Sequence, residues 1–245
     1  MQTLFTFLSP LSTCGYLPDR RWQLRYEIVG EMTPEDYSAR MIAGWRRFGH
    51  AIFKPECPSC QMCQSIRVDV KNFRPDRSQR RARKANEADV RIEIGPPSIS
   101  REKLALYDKF HQFQTDLKGW PERGNESADA YLESFVDNPF VTEEWCYFVG
   151  DRLIGVGYAD RLPIGISAIY FFYDPDVRER SLGTFNVLSV IARVAKLGLP
   201  HAYLGFYVPG CRSLEYKATF RPNETLQPDG TWQPFVRLSL DSQAT

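Results

Sequence analysis

No apolar run in the 245-residue chain approaches the roughly 20 residues needed to cross a bilayer. The opening stretch, Met1-Gln-Thr-Leu-Phe-Thr-Phe-Leu-Ser-Pro10, lacks the basic segment and small-residue cleavage site of a secretion signal. The expectation is a soluble, cytoplasmic protein with no membrane partner. The chain also lacks internal repeats, heptads and low-complexity stretches. It carries no excess of charge: 31 Lys and Arg face 30 Asp and Glu, a net charge of +1. A nucleic-acid partner must therefore be held by a local basic patch, since the whole-protein field gives no help. Histidine is scarce, and His50, His111 and His201 sit in unrelated contexts, so none is assigned a chemical role.

What is present begins with six cysteines: Cys14, Cys57, Cys60, Cys63, Cys146 and Cys211. In a reducing compartment, clustered cysteines point to metal or catalysis before disulfides. The composition shifts at Gly95-Pro96-Pro97-Ser98, a loop signal that divides the chain into residues 1–95 and 98–245.

In the first part, Trp22 to Val29 alternates as a strand. Thr33-Pro-Glu-Asp opens a helix expected to run through Trp45, with Thr as N-cap and Pro in the first turn. Ser65 to Val70 and Val90 to Ile94 alternate as half-buried strands, and Asp76 to Ala88 is helical and basic. In the second part, Ser100 caps a helix reaching Lys118, and a second helix covers Ser127 to Val136. Strands follow at Glu144–Val149, Leu153–Ala159 and Ser167–Tyr173, with Gly150-Asp151 as a hairpin turn. A long helix, Ser181 to Leu197, ends at Gly198, and His201 to Phe206 is a short strand. This order gives an α+β fold and resembles the GNAT acetyltransferases, in which an acyl donor lies between splayed strands. A Cys-containing α/β domain precedes it.

Two dense segments sharpen the reading. One is Tyr170-Phe-Phe-Tyr-Asp-Pro-Asp176 with Arg180-Ser-Leu-Gly-Thr-Phe185. The other is Tyr203-Leu-Gly-Phe-Tyr-Val-Pro-Gly-Cys211 with Tyr216-Lys-Ala-Thr-Phe-Arg-Pro222. The first half adds Cys14-Gly-Tyr-Leu-Pro18, Trp45-Arg-Arg-Phe-Gly49 and Pro55-Glu-Cys-Pro-Ser-Cys-Gln-Met-Cys63. Together these resemble the arginyl-tRNA–protein transferase family over nearly the whole chain. The compact length and Cys-x-x-Cys-x-x-Cys run are similar to its short bacterial branch, the aspartate/glutamate leucyltransferases. The resemblance implies transfer of leucine from leucyl-tRNA to proteins with N-terminal Asp or Glu, which marks them for N-degron degradation. Nothing in the motifs selects leucyl-tRNA over arginyl-tRNA, so arginyl transfer is the alternative.

The implied chemistry is aminolysis of an activated ester, which needs positioning, a neutral amine, a stabilised oxyanion and a proton for the leaving ribose oxygen. The catalytic candidates are Asp174 to orient or deprotonate the amine, Tyr207 to give a proton, and Lys217 to hold negative charge or a phosphate. Their bland readings are a turn cap, core packing and a lysine snorkelling past Tyr216 and Phe220. In GNAT enzymes a Q/R-x-x-G-x-G/A turn cradles coenzyme A at a helix N-terminus. Here Phe185 replaces the last small residue, so coenzyme A is not expected, and a coenzyme A-dependent N-acetyltransferase is the lesser reading. Arg178, Arg180 and Arg221 are the candidates for tRNA.

Lys71 to Lys84 is the densest basic segment, and Arg77, Arg80, Arg81 and Lys84 share one helical face. Arginine binds carboxylates bidentately, so this face, with Tyr16, is the candidate for the acidic N-terminus, or for tRNA phosphates. On that reading Arg77→Ala or Arg80→Ala weakens use of acidic N-termini. Cys57, Cys60 and Cys63, with Cys14 as a fourth ligand, have the spacing for zinc or an iron–sulfur cluster. Free thiols without metal are the alternative. A third reading is a metal-binding regulator that binds RNA through the basic helix.

Overall fold

The computed structural model describes residues 1–120 and 128–236. Three helices start where side chains cap them. Thr33 forms a capping box with Asp36 at α1 (Pro34–Ile42), and Asp76 forms one with Gln79 at α2 (Arg77–Glu87). Ser100 caps α3 (Arg101–Lys118), which ends at the left-handed Gly119. The helix expected through Trp45 stops at Ile42, because Gly44 takes φ 88° and turns the chain into a strand. The second expected helix appears as α4 (Ala128–Tyr131), which widens into a π turn over Leu132–Val136. Its expected first residue, Ser127, lies outside the described residues. The long helix is α5 (Leu182–Lys196), and a short α6 (Arg212–Glu215) follows the last long strand.

The first sheet has the order β1-β4-β6-β5, built from β1 (Thr3–Leu8), β4 (Leu24–Val29), β5 (Arg46–Phe48) and β6 (Ala51–Pro55). A small ribbon of β2 (Ser12–Thr13) and β3 (Arg21–Trp22) lies apart from it. The second sheet has eight strands: β7 (Gln64–Asp69), β8 (Val90–Gly95), β9 (Thr142–Val149), β10 (Arg152–Leu162), β11 (Gly165–Tyr173), β12 (His201–Tyr207), β13 (Asn223–Leu226) and β14 (Trp232–Pro234). Their order is β14-β13-β7-β12-β11-β10-β9-β8. Strand β7 is inserted between β12 and β13, and β8 forms the far edge. The loop at residues 95–98 therefore does not separate two sheets, since strands from both sides of it share one ladder.

One face of the large sheet packs on α5 through Val68, Ile154, Ile166, Leu188, Ile191 and Val194. The other packs on α3 and α4 through an aromatic cluster of Tyr107, Phe110, Tyr131, Phe135, Tyr158 and Phe172. The small sheet and α1 close over Val29, Tyr37, Met41 and Ile52, which meet Leu162 and Tyr203 of the large sheet. A buried ion pair pins the hairpin β5–β6 in place, joining Arg47 to Asp160 of β10 with both side chains fully buried.

Strands β11 and β12 run parallel, the only such pair in the described sheets. Their pairing covers Gly165–Ser167 against His201–Tyr203 and then stops, although β11 continues to Tyr173 and β12 to Tyr207. Gly165 permits the close start: with φ 147°, a Cβ there would lie 2.0 Å from the His201 carbonyl oxygen. Beyond that point the strands diverge and leave a wedge in the sheet. The β7–β12 ladder also shifts between Tyr203 and Phe206, around Gly205 at φ 80°.

Candidate active site

The wedge leaves backbone groups of β12 without a strand partner, and side chains supply the donors. Arg46 of β5 donates to the Gly205 carbonyl at 3.2 Å, and Lys217 donates to the Phe206 carbonyl at 3.3 Å. The Arg46 guanidinium also stands over the Phe206 ring, 5.3 Å from its centre. On the other side of the wedge, Phe48 of β5 meets Tyr170 of β11 edge-on at 6.1 Å. Strand β5 therefore touches both diverging strands.

Lys217 sits in a 3-10 turn, Tyr216–Thr219, just after α6. Burial holds its amine down to about 7, helped by the Arg46 charge and opposed by the Cys211 thiol. Near neutral pH it is poised between charged and neutral forms. Lys118, at the end of α3, donates to the Ser213 hydroxyl of α6 at 3.4 Å. Three cations thus surround the segment that carries Cys211.

Asp174 occupies a different position. It is 4% exposed and caps the 3-10 turn Pro175–Arg180, accepting from the Asp176 amide at 3.0 Å. Lys109 donates to it at 2.7 Å and Arg152 donates to its other oxygen. Burial alone raises its pKa, but the bonds from Lys109, the Asp176 amide and Arg152 outweigh this and hold it below the usual carboxylate range. A carboxylate so committed acts as a cap and a clamp in this structure, the turn-cap reading set beside its candidate role. Tyr207 is 1% exposed, with its ring packed edge-on against Phe235 at 4.9 Å.

The expected tRNA contacts do not gather. Arg180 grips Asp89 through both terminal nitrogens, at 2.8 and 2.7 Å, and reaches the Ala85 carbonyl. It joins the 3-10 turn to α2. Arg178 is exposed beside it. Arg221 is exposed on the far side of the 3-10 turn that carries Lys217, and donates to the Ala218 carbonyl at 3.3 Å. Phe185 lies in the core under α5.

The basic helix does form one face. On α2, Gln79, Ala82 and Asn86 point inward, while Arg77, Arg80, Arg81 and Lys84 are exposed together. Gln79 donates to the Thr219 carbonyl at 3.2 Å, so the first turn of α2 abuts the Lys217 segment. The basic residues face solvent, where an isolated ion pair contributes about 1 kcal/mol or less.

The cysteines cluster as well. Cys14, Leu17, Met62, Phe206 and Val208 form a small core, with Tyr16, Cys60, Cys63 and Cys211 packed against it. The amides of Tyr16 and Leu17 both donate to the Cys14 sulfur at 3.4 Å, while the Cys57 thiol donates to the Gln23 carbonyl at 3.7 Å. Burial pushes the Cys57 and Cys63 thiols and the Tyr16 phenol upward. Among the described residues, no three His, Cys, Asp or Glu side chains converge to hold a metal ion. The four candidate ligands are neighbours without a shared centre. No step below depends on a metal there.

Sequence reasoning missed Arg46, Lys118, Cys211 and His111 as members of this region. His111 is 8% exposed and hydrogen-bonded through Nε2 to the Tyr170 hydroxyl at 2.9 Å, and burial pushes it down to about 4. Arg46 lay inside the Trp45-Arg-Arg-Phe-Gly49 motif. Nothing in one sequence distinguishes its partner from that of Arg47.

Comparison with known proteins identifies the family. The family model "Arginine-tRNA-protein transferase, N terminus" matches residues 12–81, and "Arginine-tRNA-protein transferase, C terminus" matches residues 102–227. A Campylobacter jejuni protein named aspartate/glutamate leucyltransferase is 38% identical over 216 residues, covering 87% of this chain and 89% of that protein. Proteins of the same name from Helicobacter hepaticus and Marinobacter nauticus are 34% and 33% identical, covering 91% and 95% of this chain and 92% and 97% of their own lengths. Among solved structures, the C-terminal domain of a putative lysylphosphatidylglycerol synthetase from Agrobacterium fabrum is similar at 15% identity and a TM-score of 0.48, covering 83% of this chain and 64% of that one. The two family models span both halves of the chain and the relatives run nearly its full length: the chain belongs to the arginine-tRNA-protein transferase family.

Proposed function

We infer that this chain transfers leucine from leucyl-tRNA to the α-amine of proteins that begin with Asp or Glu. The observation that carries this reading is the 38% identity over 87% of the chain to a protein named for that activity. The reaction joins the acceptor nitrogen to the ester carbonyl and breaks the bond to the ribose oxygen. One proton leaves the nitrogen and one is gained by the ribose. Because the ester is already activated, positioning supplies much of the rate.

The wedge between β11 and β12 suits a GNAT-like donor cleft, because the ladder ends there and side chains supply the donors to carbonyls of β12. Lys217 beside it is the cation available to hold negative charge. The exposed face of α2 suits tRNA phosphates, which are read by long-range charge and tolerate solvent. The Cys14, Cys57, Cys60 and Cys63 group is the candidate zinc or iron–sulfur site. No described helix is long and apolar enough to cross a membrane. A cytoplasmic place in an N-degron pathway is part of the same proposal.

The test is transfer of labelled amino acid from tRNA charged separately with leucine and arginine, onto peptides beginning with Asp, Glu, Ala or Lys. Leucine moving only to Asp and Glu peptides is expected. Arginine moving instead keeps the chemistry and corrects the donor, and no transfer from either overturns the reading.

A further inference from the structure

Three Lys or Arg side chains are buried among the described residues: Arg46, Arg47 and Lys103. Two of them are matched by carboxylates, Arg47 by Asp160 and Lys103 by Glu144. Arg46 is the exception. At 6% exposure its guanidinium donates hydrogen bonds, among the described residues, only to carbonyls, those of Trp45 at 2.6 Å, Met41 at 3.5 Å and Gly205 at 3.2 Å. Its Nε is buried with no hydrogen-bond partner. Lys217 donates to the next carbonyl along β12, and among the described residues it too has no carboxylate partner.

Two cations close together without a counter-charge are costly to bury. Each disfavours the other, which is part of why the Lys217 amine is held down to about 7. Among the described residues, no carboxylate is paired with either. From α3 comes Lys118, another cation, and from the start of α6 comes the Cys211 thiol. Glu215 of α6 is drawn to the Gly210 amide at 3.1 Å. The arrangement is that of a site whose anion arrives with a ligand, at the mouth of the wedge.

We propose that Arg46 and Lys217 form the receptor for the side-chain carboxylate of the acceptor's N-terminal Asp or Glu. This rests on the transfer reading above and moves the acid-recognition site from the solvent-facing arginines of α2 to a buried arginine and its half-buried lysine neighbour. The physical gain is discrimination. An acidic side chain supplies the missing charge and satisfies the idle Arg46 Nε. A neutral Asn of the same shape leaves the buried Arg46 and the half-buried Lys217 without a counter-charge. Binding also charges Lys217, so the acid is recognised together with uptake of a proton when the pH is above about 7.

The test compares equilibrium binding and transfer for two peptides that differ only in an N-terminal Asp or Asn. The proteins are the wild type, Arg46→Gln, Arg46→Lys and Lys217→Gln. The expected result is an Asp-over-Asn preference that falls at least about 30-fold in Arg46→Gln, the loss of one partner of a desolvated charge pair. Arg46→Lys restores part of it, and Lys217→Gln lowers it independently, which keeps the test valid if Arg46→Gln does not fold. A preference ratio is blind to the fraction of folded protein, so a merely structural role leaves it unmoved. An unchanged ratio in the folded variants overturns the proposal. So does weakened binding of tRNA with peptide preference intact, which would make the pair a phosphate site. Wild-type protein that transfers to neither peptide would instead overturn the transfer reading, with the binding ratio still deciding the pocket.

Discussion

Replacing Arg47 by Met tests how the first sheet is held against the second. All five guanidinium donors are used. Nε reaches Asp160 at 2.8 Å, and one terminal nitrogen reaches the Gly49 carbonyl at 3.0 Å and Asn138 at 2.7 Å. The other reaches Thr142 at 2.5 Å and the second Asp160 oxygen. The planar group also lies 4.7 Å from the centre of the Phe140 ring. Without it, Asp160 stays fully buried with the Thr142 hydroxyl as its remaining donor, at 3.0 Å. Breaking one side of a buried pair costs about 3–5 kcal/mol, out of a total stability of about 5–15 kcal/mol. For a chain of this size that lowers the Tm by about 6–20 °C. Urea unfolding of the wild type and Arg47→Met measures it, with an unchanged m-value expected. The double variant Arg47→Met with Asp160→Leu is expected to recover most of the loss, because the orphaned charge is gone. A single-variant loss under about 1 kcal/mol would refute the view that this pair is the anchor.

Two further outcomes follow from the site. Affinity for acidic peptides is expected to fall as pH rises through about 7, because Lys217 is charged below that value and neutral above it. The inflection should vanish in Lys217→Gln and persist in His111→Gln, since burial keeps His111 neutral above about 4. On α2, replacing Arg77, Arg80, Arg81 and Lys84 together by Ala is expected to weaken tRNA binding and flatten its salt dependence by up to about 0.9 per lost phosphate contact. The affinity for acidic peptides should stay the same, and a loss of Asp-over-Asn preference in that variant would return acid recognition to the helix.

Much of the fold was legible because local chemistry agreed with the tertiary structure. The caps at Thr33 and Ser100 act as read, and Gly150 and Gly198 take the left-handed conformations their positions suggested. Strand pairing was not legible. Short strands such as β5 and β13 have too few residues to show a period, and no sequence pattern says that β7 enters the sheet beside β12. The site was legible by segment and less so by residue. In the motif around Asp174, whether a carboxylate is free depends on Lys109 and Arg152, which lie 65 and 22 residues away. Likewise Arg46 and Arg47 are neighbours in one motif with opposite fates. One meets Asp160, 113 residues on, and the other meets only carbonyls. Cys211 joined the other cysteines for the same reason: its position is set by where β12 ends, which spacing does not encode.

The most direct test of the central claim is mass spectrometric sequencing of an Asp-initiated peptide after incubation with the protein and leucyl-tRNA. The account predicts one leucine joined through the peptide's α-amine, and none on the same peptide with an acetylated N-terminus. Leucine found on the blocked peptide, or no addition to the free one, would contradict it.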